Sequence, residues 1–515
     1  MNWHNSAITV TTLLPILGAL VIVCVPKEKD RLVRGLGIFF TAAALVLAVA
    51  IAVGFDYGRG EFQFVLNVDW IEAIGARYHV GIDGISMPLY VLTFLLSFLC
   101  AIYTWRFVPD PGRTKAFLAL MLLLETGMAG TFIAFDLILF FVFWELVLVP
   151  MYFLIAVWGS ANREYASIKF FLYTLFGSVF MLLGFLALYF SGPTDALGRH
   201  TFDMLQLTEF GANGGFSHTF QLVVFGGIAL GLAVKVPMWP FHTWLPDAHT
   251  QAPTVGSVIL AAVLLKLGTY GFVRIAVPIL PGAAQSWAPW IGLLAVIGII
   301  YGALCCLAQT DMKRLIAFSS VAHMGYVMLG ISSLTAIGMN AAIFGMVAHG
   351  LITGLLFFVA GSVKERYHTL EIKRLGGMLV SMPHLGWILG ITTMASLGLP
   401  GLAGFWGEFP AILSAWDTQF GHVGLFRGYM VVAAIGTVLA AGYLLWLYQR
   451  TAFGTPSAEF ADDPHLHDVS LLEWVAWLPM LVGIVVLGFF PGLIFKVTDP
   501  AVISQVMSHV TAAGG

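Results

Sequence analysis

The chain has 515 residues and a mass of 55.8 kDa, and 59% of its residues are hydrophobic while only 10% are charged. Soluble globular proteins carry about 25% charged residues, so this chain has too few charges to cover a water-exposed surface. A mean hydropathy of +0.91 and a net charge of −3 exclude a soluble enzyme and argue against nucleic-acid binding. Long continuous apolar runs predict an all-α, multi-pass membrane protein.

Fourteen apolar runs approach the length of about 20 residues that a spanning helix needs. They lie at about 6–25, 35–55, 84–105, 114–133, 136–158, 166–190, 218–240, 254–277, 287–308, 315–333, 338–362, 383–410, 428–449 and 472–495. An even number of spans predicts that both termini lie on the same side of the membrane. The longest stretches between spans are 56–83, 191–217 and 450–471, and none is long enough for a separate soluble domain.

Basic residues are unevenly divided between the two sets of loops. Fifteen lie after odd-numbered spans, among them Lys313 and Arg366, and six lie on the other side, among them Arg274. The positive-inside rule places the richer set in the cytoplasm, so both termini are expected on the outer, periplasmic side. We therefore expect a bacterial cytoplasmic membrane protein rather than a mitochondrial one.

Two other kinds of site are not expected. The cysteines Cys24, Cys100, Cys305 and Cys306 form no Cys-x-x-Cys pair, so neither an iron–sulfur cluster nor a disulfide framework is predicted. The loop segment AEFADDPHLHD, within 450–471, contains His and acidic residues that we expect to be solvated rather than bound to a metal. The sequence thus predicts no metal or cofactor in this chain.

Ionisable side chains inside the apolar runs are the most informative residues. They are Glu125, Glu145, Lys235, Lys266, His323, His349 and Glu408. One charged side chain at mid-helix costs about 2.5–3.5 kcal/mol. Four unpaired charges, those of Glu145, Lys235, Lys266 and Glu408, would therefore cost about 10–14 kcal/mol. A whole domain is stable by only about 5–15 kcal/mol, so these groups are expected to face one another or water. Glu125 has no accompanying motif, and its role stays open.

The residue types favour proton movement. Glu, Lys and His can gain and lose a proton when their surroundings shift the equilibrium, whereas arginine, which is absent from this set, cannot. A sodium or calcium site would instead contain clustered Asp, Asn and hydroxyl groups. The pattern predicts a proton relay through the membrane.

Two of the predicted spans are interrupted in a similar way. The seventh continues as KVPMWPFHTWLPDAH and the twelfth contains LGLPGLAGFWGEFP, with a proline two residues after Lys235 and after Glu408. Breaks at membrane depth are tolerated where protein or cavity water satisfies the freed backbone groups, and a matching pair indicates a repeat-built transporter. We predict two inverted five-helix repeats, spans 4–8 (113–280) and 9–13 (281–450), with discontinuous helices 7 and 12. Residues 1–112 would hold the first three helices, and 451–515 a cytoplasmic loop and the last helix.

Four stretches carry a resemblance to a known family: FFVFWELVLVPMYFLIAVWG, KVPMWPFHTWLPDAHTQAPTVGSVILAAVLLKLGTYG, DMKRLIAFSSVAHMGYVMLG and GLPGLAGFWGEF. The chain resembles the antiporter-like membrane subunits of respiratory complex I, which are similar to subunits of multi-component cation/proton antiporters. Glu408 in place of the family's usual lysine, the absence of a long lateral C-terminal helix and the stretch FFVFWELVLVPMYFLI indicate one subunit type within that family.

The resemblance implies roles for individual residues. Glu145 would pair with the broken-helix lysine Lys235, and Lys266 would be the central connecting lysine. His323 and His349 would be the histidines of the second repeat, and Glu408 would be the terminal exit group. His242 would be a polar residue near the cytoplasmic entry.

The implied function is proton translocation, coupled to NADH:quinone electron transfer in other subunits. FMN, iron–sulfur clusters and quinone are expected in those partners, and the chain would contact other antiporter-like subunits and membrane lipids. Three alternatives remain: a cation/proton antiporter subunit, a haem protein ligated by His323 and His349, and a structural scaffold. The buried charges disfavour the scaffold, and a single histidine pair disfavours the haem protein.

Overall fold

The computed structural model describes residues 3–194, 198–418, 420–460 and 466–512 of the chain. Within these ranges the protein is mostly helical, with one two-stranded antiparallel hairpin formed by β1 (Gln63–Ile71) and β2 (Ala76–Ile82). The helices are α1 (Trp3–Cys24), α2 (Asp30–Val53), α3 (Ser86–Thr104), α4 (Thr114–Ile133), α5 (Leu137–Leu146), α6 (Leu148–Trp158), α7 (Arg163–Ser191), α8 (Met204–Ala212), α9 (His218–Lys235), α10 (Trp244–Gln251), α11 (Thr254–Ile279), α12 (Pro281–Leu307), α13 (Met312–Ser332), α14 (Ala336–Tyr367), α15 (Met378–Ser381), α16 (Pro383–Ser396), α17 (Ala403–Ser414), α18 (Val423–Ala452), α19 (Leu471–Phe489), α20 (Gly492–Val502) and α21 (Ser508–Ala512).

Thirteen segments of the described chain are long and apolar enough to cross a membrane. They match the predicted spans except the one at 383–410, which forms the two shorter helices α16 and α17. This twelfth span, which was predicted to be discontinuous, is therefore two half-helices.

Both predicted spans are interrupted, but Pro410 lies within α17 and does not cause the second break. The causes of the two breaks lie in the local sequence. Between α16 and α17, Gly398 and Gly401 have φ values of +78° and +94°, which other residues rarely adopt. Between α9 and α10, Pro237 and Pro240 lack the backbone N–H that a continuing helix requires. Each break leaves a helix end in the interior of the bundle, beside the buried ionisable residues.

The segments between spans are more ordered than expected. Most of the predicted loop 56–83 is the hairpin β1–β2, turned at Gly75. After α19 the chain continues into two further short helices, α20 and α21, which were not predicted. Five residues of the His- and acid-containing loop, 461–465, lie outside the described residues.

Helices α11, α13 and α14 form the centre of the bundle. Nearly every residue in their apolar stretches is buried, whereas α7 exposes large side chains such as Leu172, Phe176 and Leu183 to the surroundings. The central helices also carry three residues of the predicted relay, Lys266, His323 and His349. These three side chains are thus surrounded by protein.

Several basic residues expected in loops are instead buried. The guanidinium of Arg366, on α14, donates to both carboxylate oxygens of Glu473, on α19, at 2.8 Å each. Arg274, on α11, donates to both oxygens of Asp83 at 2.7 and 2.6 Å. Lys313 donates to the carbonyl of Ala252 at 2.5 Å. These three residues were counted in the charge asymmetry of the loops, but their side chains join separate segments of the chain and do not face water.

The Arg366–Glu473 pair gives a stability prediction. Replacing Arg366 by Met leaves the Glu473 carboxylate buried without its counter-charge, so the free energy of unfolding should fall by about 3–5 kcal/mol. Unfolding of the purified chain in detergent measures this effect.

The exposed pair between Arg374 and Glu459 provides a matched control. Replacing Arg374 by Met should leave the free energy of unfolding nearly unchanged, because solvent already screens an exposed pair. Equal losses from the two substitutions would contradict the prediction.

Helices α14 and α17 cross at a pair of glycines. A Cβ atom on Gly407 would lie 2.6 Å from the Cα of Gly345, a distance that real Cβ atoms do not reach. The close approach places the next residue, Glu408, in the interior between α13 and α14. Packing of the two backbones thus fixes the position of a buried carboxyl group.

We predict that Gly407→Ala lowers the free energy of unfolding by about 1–3 kcal/mol, because the added methyl group must push the two helices apart. Gly428→Ala is the control, since no atom lies within 4 Å of its added Cβ. Thermal unfolding in detergent compares the two variants, and a Gly407→Ala protein as stable as the Gly428→Ala protein would refute the prediction.

Candidate proton-relay site

Lys266 is completely buried and is held by two acceptors. Its Nζ donates to the carbonyl of Ala261 at 2.5 Å and to Nδ1 of His349 at 2.7 Å. Ala261 belongs to a π-helical segment, Leu260–Leu264, within α11; such segments occur frequently at functional sites. Because an ammonium group only donates, Nδ1 of His349 accepts and a neutral His349 carries its proton on Nε2.

His323 and Glu408 form the second close pair. Nδ1 of His323, on α13, lies 2.6 Å from Oε1 of Glu408, on α17. A carboxylate only accepts, so with Glu408 ionised the Nδ1 atom carries the proton. On the other side of the ring, Nε2 of His323 lies 3.2 Å from the hydroxyl of Ser396 and 3.4 Å from that of Tyr443.

A small cavity separates the two pairs. The ring centres of His323 and His349 are 5.9 Å apart, too far for a direct hydrogen bond between the rings. The cavity has a water-accessible volume of about 20 Å³. One water molecule needs about 10–15 Å³ of such volume. Its lining includes His323, His349, Ser396, Thr353 and Glu408.

Two buried polar atoms beside this cavity are without a hydrogen-bond partner among the described residues. They are Nε2 of His349 and Oε2 of Glu408. An unsatisfied buried polar atom costs about 1–3 kcal/mol, and native proteins keep few of them. A water molecule in the cavity would have the polar neighbours that buried waters require.

Lys235 and Glu145 are near each other but not in direct contact. The Lys235 Nζ lies 5.0 Å from the centre of the Trp144 ring, and Lys235 interacts electrostatically with Glu145. Within the described chain no ion pair joins the two side chains; Lys235 is buried, whereas Glu145 is partly exposed. The implied pair is therefore separated in this conformation.

Lys235 and Lys266 lie on adjacent helices. A Cβ on Gly268 of α11 would lie 2.8 Å from the Leu232 carbonyl oxygen and 3.0 Å from the Val236 nitrogen, so α11 packs directly against the end of α9. This close crossing brings the two lysine-bearing segments together at the break that follows Lys235.

Among the described residues, no hydrogen bond joins His242 or Glu125 to the two hydrogen-bonded pairs described above. His242 is buried and packs edge-on against Tyr301, with ring centres 5.0 Å apart. Glu125 is completely buried in α4, and neither of its carboxyl oxygens has a hydrogen-bond partner in the part of the chain that the structure describes.

His249 is a buried residue that sequence reasoning missed. Its ring stacks on Phe357 with centres 4.5 Å apart, and its two nitrogens lack partners among the residues described here. It lies within electrostatic reach of both Lys266 and Lys313. In the sequence, His249 could have been found from its position in the interrupted stretch after Lys235, which also contains His242.

Comparisons with known proteins identify the family. The sequence profile described as "NADH:quinone oxidoreductase/Mrp antiporter, TM" matches residues 134–436. The chain is 40% identical to NADH-quinone oxidoreductase subunit M of Rickettsia bellii, over 95% of this chain and 96% of that protein. It is 39% identical to the subunit M of Rhodobacter capsulatus, over 98% and 97% of the two chains. The sequence stretches indicated one subunit type within the family. The comparisons confirm that type, which is subunit M, or the chain 4 type.

Solved structures agree with the sequence comparison. A chain of respiratory complex I from Thermus thermophilus superposes with a TM-score of 0.85 at 28% identity, covering 99% of this chain and all of that one. A chain of the Mrp complex from a Dietzia species shares the fold, with a TM-score of 0.84 at 21% identity and full coverage of both chains. This multi-pass membrane chain belongs to the family of membrane subunits found in NADH:quinone oxidoreductase and Mrp antiporters.

Proposed function

We propose that this chain is a proton-translocating membrane subunit of an NADH:quinone oxidoreductase, of the subunit M type. The observation that carries the proposal is the buried series from Lys266 through His349 and His323 to Glu408. Hydrogen bonds of 2.7 and 2.6 Å join its two pairs, and a water-sized cavity lies between them. Each member can hold or release a proton, and the relatives that support the assignment carry the subunit M name.

The relay begins at Lys235. When Glu145 is close, the opposite charges stabilise the ammonium form; when they separate, a buried ammonium without a counter-charge favours release of its proton. The proton then passes to Lys266 and along the two histidines to Glu408, the exit group. Water is needed where no direct contact exists.

The energy for this movement comes from outside the chain. Moving one elementary charge against 100 mV takes about 2.3 kcal/mol, and the proposed relay only redistributes protons. Electron transfer from NADH to quinone in partner subunits, which would hold FMN and the iron–sulfur clusters, supplies the work. Neighbouring antiporter-like subunits transmit it to this chain through their contacts within the membrane.

The proposed setting is a bacterial cytoplasmic membrane with both termini on the periplasmic side. The excess of basic residues in the loops after odd-numbered spans supports this orientation. Residues 113–280 and 281–450 are the two inverted five-helix repeats, each with a broken helix, and 1–112 and 451–515 flank them. Matching breaks after α9 and α16 support this division.

A cation/proton antiporter subunit is the second candidate, because the family includes Mrp antiporters and the fold is shared with one. Purification through a C-terminal tag in mild detergent, followed by an NADH:quinone oxidoreductase assay, separates the two. Inhibitor-sensitive activity that copurifies with many partner chains supports the first proposal. A small assembly without this activity, together with sodium- or potassium-dependent proton exchange in vesicles, would replace it with the second.

We predict that Lys235→Ala and Glu145→Gln each reduce NADH-driven proton pumping by about tenfold or more, since positioned proton carriers contribute about 10²–10⁴-fold. Pumping per assembled complex is measured with a pH-sensitive dye in proteoliposomes. Arg374→Gln removes an exposed charge and is the control, with pumping unchanged. Normal pumping by an assembled Lys235→Ala complex would disprove the relay.

The His323–Glu408 pair predicts non-additive effects. Because the two residues act through one 2.6 Å contact, His323→Ala, Glu408→Gln and the double substitution should each reduce pumping to a similar level. Pumping rates of the three assembled complexes test this expectation. Losses that multiply in the double variant would mean that the two side chains act independently.

A further inference from the structure

We propose that the hydroxyl group of Ser396 carries the proton across the gap between the two histidines, from water in the cavity to Nε2 of His323. This inference rests on the proposed function and adds a relay member that is neither a Glu, a Lys nor a His. It answers how a proton reaches His323 when the nearest proton-carrying ring, His349, is not in hydrogen-bonding range.

The position of Ser396 is what distinguishes it from other hydroxyl groups. It is the last residue of α16, where the broken helix ends, and its side chain is buried. Its oxygen lies 3.2 Å from Nε2 of His323, and the residue also lines the cavity shared with His349. Ser396 therefore connects the cavity to the far side of the His323 ring from Glu408.

Tyr443 contacts the same nitrogen but is placed differently. Its hydroxyl lies at the longer distance of 3.4 Å, and Tyr443 is not among the residues lining the cavity. We assign it an orienting role, in which it holds the imidazole ring without passing a proton. Removal of the Ser396 hydroxyl should therefore reduce pumping strongly, whereas removal of the Tyr443 hydroxyl should reduce it only slightly.

The hydrogen-bond partners of the two histidines determine which ring nitrogen carries the proton before transfer begins. Lys266 donates to Nδ1 of His349, which leaves the His349 proton on Nε2. Glu408 accepts from Nδ1 of His323, which leaves Nε2 of His323 free to accept from a hydroxyl. A serine hydroxyl can donate and accept at once, so it can receive one proton while it gives another.

The transfer balances in atoms and charge. Lys266 passes a proton to Nδ1 of His349, and His349 passes its Nε2 proton to one water molecule in the cavity. The water passes a proton to the oxygen of Ser396, and the serine gives its own hydroxyl proton to Nε2 of His323. His323 then releases its Nδ1 proton to Glu408. The lysine ends as an amine and the glutamate as a carboxylic acid, while both histidines, the serine and the water keep their proton counts.

The test uses the assembled complex in proteoliposomes, with pumping normalised to complex content and to the quinone reduction rate. Ser396→Ala should reduce pumping by about tenfold or more, because a positioned proton donor contributes about 10²–10⁴-fold. Ser396→Thr and Ser396→Val have nearly the same shape and differ in the hydroxyl group. We expect the threonine variant to pump within about twofold of the unmodified complex and the valine variant to match the alanine variant.

Tyr443→Phe is the matched control for the second hydroxyl and should reduce pumping by no more than about threefold, as expected for an orienting contact. A structural role for Ser396 predicts a different pattern, in which Thr and Val variants behave alike. Either that result or normal pumping by Ser396→Ala would overturn the proposal.

His323→Ala is measured in parallel, so that failure of the Ser396 proposal can be distinguished from failure of the proposed function. If His323→Ala loses pumping while Ser396→Ala and Ser396→Val retain it, the Ser396 proposal fails and the proposed function stands. If His323→Ala also pumps normally, the proposed function itself fails. Should Ser396→Ala not assemble, the comparison of Thr with Val decides the question alone.

Discussion

Charged side chains inside the bundle need partners because hydrocarbon offers no water to solvate them. The central helices meet this constraint by placing Lys266 against His349 and His323 against Glu408, each with a contact below 3 Å. Away from this series, Arg366 is paired with Glu473 by the same principle. The difference is chemical: arginine stays protonated and fixes helices, whereas lysine and histidine can release a proton.

The helix breaks serve both the fold and the site. A continuous helix satisfies its own backbone groups and presents only side chains, so its ends normally lie at the membrane surface. Here the break between α16 and α17 brings Ser396 and Glu408 toward opposite nitrogens of one imidazole ring. The crossing of Gly407 on Gly345 then fixes the carboxyl group in place. Backbone packing thus sets a geometry that the side chains alone would not maintain.

The two histidines contribute through their paired nitrogens. An imidazole can accept a proton at one nitrogen and release one at the other, so its orientation defines a direction. His349 faces a lysine at Nδ1, and His323 faces a glutamate at Nδ1. Their opposite partners leave a donor nitrogen on His349 and an acceptor nitrogen on His323. Both residues line the same small cavity, which has room for a single water molecule.

Composition and pattern alone predicted a membrane protein with many helices, the breaks in two spans and the set of buried ionisable residues. These features are local: they follow from apolar run length, from proline and glycine, and from the cost of charge in lipid. The sequence did not show where within 383–410 the break lies, or that Arg274, Lys313 and Arg366 lie buried. It also gave no means to choose Ser396 among many serines. Which side chains meet depends on how α11, α13, α14, α16 and α17 cross, and such distant contacts are decided only when the whole bundle packs.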